Sequence, residues 1–193
     1  MSTLVRYLTH PQVQVDPAVP VPSWGLNAVG RGRVLAMVAS GWLRGTTQVI
    51  ASAEKKAMET AEPIAGALGV QIEVRELMHE NDRSATGFLP PAEFEAVADE
   101  FFAHPDASIR GWERASDAQK RIVREVQTVL DRSQEGHVLF VGHGAVGTLL
   151  YCHYAKVKIN RVHDQPPGGG HYFTMKESTR EVLHSWRRME DEP

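Results

Sequence analysis

Cysteine is all but absent. The 193 residues contain one, Cys152, which excludes an internal disulfide framework and fits a reducing compartment. No segment approaches the run of about 18 apolar residues that a membrane-spanning helix needs. The N-terminus carries Arg6 inside its short apolar run and lacks the basic-then-apolar order of a signal peptide. Positive charge is not in excess either, with 21 Lys and Arg against 24 Asp and Glu and a net charge of −3. Polyanions are bound through a local surplus of Lys and Arg, so this balance argues against a nucleic-acid or anionic-membrane partner. No internal repeat or low-complexity tract is evident. A soluble, cytoplasmic protein is expected.

What is present is ordinary globular usage: 42% hydrophobic residues, 23% charged, 16 Gly and 11 Pro. A chain of this length buries about 70% of the surface its unfolded form exposes, so it folds without disulfides or a structural metal. One domain over residues 1–193 is the expectation. Thr3 to Thr9 is a short β-prone run that Pro11 ends, and Pro17, Pro20 and Pro22 then stiffen an extended loop. Asn27 is a helix N-cap, and Val34, Leu35, Val38 and Trp42 recur at helical spacing toward a stop near Gly45. Gln48–Ala51 predicts a strand, Glu54–Leu68 a helix closed by Gly69, and Val70–Leu77 a third strand. Glu80–Pro91 is a polar loop, followed by helices over Ala92–Ala103 and Glu113–Arg132. His137–Val141 is the clearest strand, Ala145–Tyr154 the next helix, and Tyr172–Met175 with Val182–Trp186 a late antiparallel pair. Strands alternating with helices predict an α/β three-layer sandwich with a mostly parallel central sheet.

Ligands of such sheets sit beyond the carboxyl ends of the strands. Of the 9 histidines, His10 and His143 stand at such ends, each just before a backbone-breaking residue, Pro11 or Gly144. His104, His137, His153 and His184 read as structural or surface residues. Pro166–Gly170 is a hairpin or cleft-rim loop, not a phosphate loop, since no helix pattern or Gly-Lys-Ser/Thr follows. His171 begins a strand or lines the pocket. His79-Glu80 and His163-Asp164 lack any spacing known for zinc, so no metal and no cofactor is expected.

Four stretches then stand in order: Leu8-Thr9-His10-Pro11, Leu26-Asn27-Ala28-Val29-Gly30, Ser52 through Lys56-Ala57-Met58-Glu59-Thr60-Ala61, and Val141-Gly142-His143-Gly144. Together they resemble the histidine phosphatases, the phosphoglycerate-mutase-like superfamily. Its members open on a strand ending in Arg-His-Gly, carry an Arg-Ala-x-x-Thr-Ala helix, and have a late strand ending in Gly-His. The resemblance implies a phosphomonoesterase acting through a phosphohistidine, with His10 as nucleophile and His143 as a cation binding the phosphoryl oxygens. It implies an acid in the loop after the third strand, where Glu80 stands with Asp82 as its rival.

Two positions depart from the family pattern. Thr9 stands where the arginine before the nucleophile is usual, and Lys56 replaces the helix arginine. Neither reproduces the bidentate guanidinium fork. The phosphate grip expected here is Lys56, Arg83, Thr9 and Gly144, with Arg83 the candidate replacement cation. Arg6 lies four residues back from His10, too deep for a phosphate at the strand end, and Lys55 points elsewhere on its helix. Trp112 either covers the substrate or is buried at a helix start. The expected partner is a small phosphorylated molecule, with a homodimer left open. The rival reading is a catalytically weak phospho-ligand binding protein on the same fold. A mutase is poorly supported, since nothing in the sequence shows how a product would be held for retransfer.

Overall fold

The structure, a computed structural model, describes residues 3–132 and 135–191. Six strands form one sheet: β1 (Leu4–Thr9), β2 (Thr46–Ser52), β3 (Ile72–Arg75), β4 (His137–Gly142), β5 (His171–Lys176) and β6 (Val182–Arg188). Their order is β3-β2-β4-β1-β5-β6. The first four run parallel, and β5 and β6 extend the sheet antiparallel. Five helices cover it: α1 (Ala28–Ser40), α2 (Lys55–Leu68), α3 (Pro91–Ala103), α4 (Ala115–Leu130) and α5 (Gly144–Ala155).

The two-residue alternation of the strands divides the core. Val5, Tyr7, Val138, Phe140 and Phe173 pack under α3, α4 and α5. Leu8, Val49, Ala51, Leu139 and Val141 pack under α1 and α2 on the other face. This is an α/β three-layer sandwich with a mixed, mostly parallel central sheet.

Local differences from the sequence reading have physical causes. Helix α1 stops at Ser40, because Gly41 takes a left-handed conformation at φ 75°. Trp42 therefore lies outside the helix, its ring 4.7 Å from that of Tyr172, and Leu35 is left 59% exposed. The third strand is only Ile72–Arg75, and Glu76–Met78 turns into a short 3₁₀ segment. Helix α4 starts at Ala115, two residues after Glu113, whose side chain is committed to Arg121 and to the Asp82 N–H. His171 begins β5, and Trp112 is buried, its indole N–H donating to Thr86 Oγ1 at 2.9 Å.

Candidate active site

Strands β1 and β4 are parallel neighbours, and the ladder continues one step past β1 with His10 N donating to Gly142 O at 3.0 Å. Their carboxyl ends thus deliver His10 and His143 to one place. The two rings stand 5.3 Å apart at 68°. Gly142 is required by its neighbour, since a Cβ there would lie 2.2 Å from the Tyr7 hydroxyl. That hydroxyl accepts the His143 N–H at 3.1 Å and donates to the His143 carbonyl at 3.3 Å. The Gly-His order therefore fixes the backbone that carries the second imidazole.

His10 Nδ1 lies 2.9 Å from the Pro11 carbonyl, which can only accept. The hydrogen of the neutral ring accordingly sits on Nδ1 and the lone pair on Nε2. Burial, foremost, brings the His10 pKa down to about 4, against the Pro11 hydrogen bond, which favours the proton. The backbone of His10 is pinned as well. Its carbonyl accepts the Gly170 N–H at 3.0 Å, and a Cβ at Gly169 would lie 2.4 Å from that oxygen. Arg33 holds this glycine loop, donating to the carbonyls of Gly168, Gly169 and Gly170 and pairing with Glu190.

His143 is fully buried. Its Nε2 is 2.8 Å from Ser52 Oγ and 3.6 Å from Glu54 Oε1. His143 is expected as a cation binding phosphoryl oxygens; in the free protein burial, foremost, holds its pKa well below the ordinary value against the pull of Glu54. Lys56 is 3% exposed, and its ammonium donates to the Val21 carbonyl at 3.1 Å and to Glu54 Oε2. The other carboxylate oxygen of Glu54 accepts the Glu80 N–H at 2.9 Å. Burial opposes ionisation of Glu54, but His143 when protonated, the Lys56 ammonium and the Glu80 N–H outweigh it and bring the pKa to about 2.

Glu80 faces the first turn of α5. Its carboxylate accepts the N–H groups of Ala145 at 3.2 Å, Val146 at 3.0 Å and Asn81 at 3.0 Å. A carboxylate suits the positive end of a helix. Asp82 is exposed and bonded to the Ser84 N–H at 2.9 Å, which draws its pKa down. Arg83 lies over the Phe94 ring, 4.9 Å from its centroid, and near Trp112. Thr9 is buried, donating its hydroxyl to Gln165 Oε1 at 2.6 Å and accepting the His171 N–H at 3.0 Å. Gly144 opens α5, and a Cβ on it would lie 2.4 Å from Gln165 Nε2. Lys55 is exposed and reaches Glu59, while Arg6 is buried over the Trp42 ring.

A cavity of about 1070 Å³ opens beside this cluster, walled by Glu54, Glu80, Asn81, Arg83, Val21 and Ser23 among others. Asn81 is buried, and its Nδ2 has no hydrogen-bond partner among the described residues. No group of three or more His, Cys, Asp or Glu side chains suited to a metal occurs among the described residues.

The sequence matches a known family. The model of the histidine phosphatase superfamily, branch 1, matches residues 21–184. This chain belongs to that superfamily. Within the matched span lie Glu54, Lys56, Glu80 and His143; Thr9 and His10 precede it. Solved structures of other members share the fold. The chain is similar to YhfR of Bacillus stearothermophilus (21% identity, 95% of each chain covered, TM-score 0.79). It is similar to a mycobacterial glucosyl-3-phosphoglycerate phosphatase solved with inorganic phosphate (16% identity, 98% of this chain and 100% of that one, TM-score 0.77). A phosphoserine phosphatase of Entamoeba histolytica solved with 3-phosphoglyceric acid is also similar (15% identity, 98% and 100% covered, TM-score 0.74). No curated protein matches the sequence.

Sequence reasoning quoted Ser52 only as part of a motif and passed over Glu54, Asn81 and Arg33 in this superfamily member. Glu54 had a readable signal: a carboxylate between a strand end and a helix whose second residue is Lys56, the lysine expected in the phosphate grip. Arg33 had none, because its partners are carbonyls of a loop 135 or more residues away.

Proposed function

We propose that this protein hydrolyses a phosphate monoester of a small molecule through a phosphohistidine on His10. One observation carries the reading: the Nδ1 bond to the Pro11 carbonyl leaves the Nε2 lone pair of His10 free, beside the second buried imidazole. In the first step Nε2 forms a bond to phosphorus while the bond to the ester oxygen breaks, and Glu80 gives that oxygen its proton. In the second step water attacks phosphorus, Glu80 takes the water's proton, the N–P bond breaks, and orthophosphate leaves. Dividing one displacement into two is what a nucleophilic side chain contributes. Positioning and charge stabilisation do most of the rest in phosphoryl transfer. Lys56, Arg83, Thr9 and Gly144 form the proposed grip. The cavity beside them has room for the alcohol portion of the ester.

Membership in the superfamily supports a phosphatase, as do the names of its structural neighbours. The test is a phosphatase panel with rapid alkaline quench. Wild type should carry an acid-labile phosphoryl label, and His10→Ala should carry none. Label that persists in His10→Ala overturns the assignment.

A second reading has its own observation. Lys56 is already paired with Glu54, and the Arg83 guanidinium lies over the Phe94 ring. That charge state suits a weak or inactive phospho-ligand binding protein. Vanadate binding without turnover of any ester would favour it.

A further inference from the structure

The groups that would receive a phosphoryl anion are already engaged by a carboxylate of this chain. Glu54 Oε2 takes the Lys56 ammonium, and Oε1 takes the Glu80 N–H at 2.9 Å while lying 3.6 Å from His143 Nε2. The carboxylate is 9% exposed and forms part of the cavity wall, so it stands between the cavity and His143. A buried ammonium is stabilised by one close anion, and bringing a second beside it sets two negative charges together in a poorly hydrated space. Both cannot hold Lys56 at full strength.

We propose that Glu54 is a built-in competitor for the phosphoryl subsite, displaced from Lys56 and the Glu80 N–H when a phosphoryl group binds and returning when orthophosphate leaves. This rests on the hydrolase reading only in taking the His10–His143 pair to mark the phosphoryl subsite. Its consequence is specificity: free inorganic anions, with no alcohol portion to fill the cavity, bind weakly. An ester offsets the displacement through contacts in the cavity, whose wall includes Asn81.

The charged and titratable groups facing Glu54 come from every neighbouring element. His10 follows β1, His143 follows β4, Lys56 lies on α2, and Glu80 and Arg83 lie on the loop after β3. Among them Lys56 alone makes a direct ammonium–carboxylate contact with Glu54. A geometric feature supports a movable carboxylate. Glu54 precedes α2 with extended backbone (φ −66°, ψ 139°), and its side chain does not cap the helix, so its displacement leaves the helix bonding intact.

The experiment is calorimetric binding of sulfate, orthophosphate and vanadate to wild type, Glu54→Gln and Glu54→Asp. Sulfate remains a dianion across the range tested, so it reads anion affinity without its own titration. Glu54→Gln should bind all three anions at least about tenfold more tightly, the worth of one charge-assisted contact regained. The gain should vanish in Lys56→Ala/Glu54→Gln. Glu54→Asp draws the carboxylate back by one methylene, so it should give a smaller gain and serves if the Gln variant does not fold. Unchanged or weaker affinity in the folded variants overturns the proposal. Tighter binding without turnover of any ester by wild type or variant would sustain it and sink the hydrolase reading. Ester turnover by wild type with unchanged anion affinity in the variants would do the reverse.

Discussion

His10 and His143 are neighbours that cannot comfortably both be charged. Their rings are 5.3 Å apart, and burial lowers the pKa of each. In the proposed reaction His10 must present a lone pair, which a neutral second imidazole leaves unopposed. A bound phosphoryl anion would then raise the His143 pKa and favour its protonation.

The first prediction is a stability slope. The His10 pKa falls from 6.5 in the unfolded chain to about 4 in the folded one. Below pH 6.5 the unfolded chain therefore binds a proton that the folded one refuses. The stability this confers is fully present above 6.5 and is lost as pH falls toward about 4. Each such imidazole contributes up to about 1.4 kcal/mol per pH unit in its window. His143 acts in the same direction. Chemical denaturation at stepped pH should show the slope, and His10→Gln should flatten part of it. An equal slope in that variant would remove His10 from the account.

Lys56 gives a second prediction. Lys56→Ala leaves the Glu54 carboxylate buried without its partner, and breaking a buried ion pair costs about 3–5 kcal/mol. Removing both groups should cost less than removing Lys56 alone, so a double-mutant cycle with Glu54→Ala should return a favourable coupling energy. Lys56→Arg should retain most of the stability. If Lys56→Ala melts like wild type, the pair holds nothing together.

Glu80 carries a third. Its carboxylate caps the first turn of α5 through Ala145 and Val146, and it is the proposed proton donor. Glu80→Gln keeps an acceptor oxygen and loses the acid. Turnover should fall by roughly 10²–10⁴, the usual worth of a general acid or base, while vanadate affinity changes little. Asp82→Asn should leave turnover near wild type. A large loss in Asp82→Asn with none in Glu80→Gln would transfer the role.

How much of this was legible follows from the range of the interactions. Strand alternation and helix stripes are local, so Leu4–Thr9, Lys55–Leu68 and His137–Gly142 could be read nearly to the residue. The end of α1 was misjudged because Trp42 keeps the helical spacing while packing on Tyr172, 130 residues away, after Gly41 has already turned the chain. His10 and His143 were legible because both follow apolar strands. The charge of His143 was not, since it depends on burial. Glu54 was passed over because sequence motifs record the lysine two residues on and say nothing of which carboxylate meets it.

The last prediction concerns Arg33. Its guanidinium is 15% exposed, spans the glycine loop and Glu190, and donates to Gln12 Oε1 at 3.0 Å. The loop it clamps supplies the Gly170 N–H that holds the His10 carbonyl. Arg33 touches neither His10 nor His143, so it acts through the loop as a positioning residue. Arg33→Ala should cost at least about 1.5–3 kcal/mol, the range for a hydrogen bond to a charged group. For a domain of this size that is a drop in Tm of roughly 3–12 °C. Arg33→Lys should recover little, because an ammonium cannot reproduce the planar fork that serves several acceptors at once. If the loop also sets where His10 presents Nε2, kcat should fall in Arg33→Ala at temperatures well below its Tm while KM moves little. Thermal unfolding and steady-state kinetics on the same samples separate the two effects. Unchanged Tm together with unchanged kcat would mean that Gly168–Gly170 holds its conformation without the arginine.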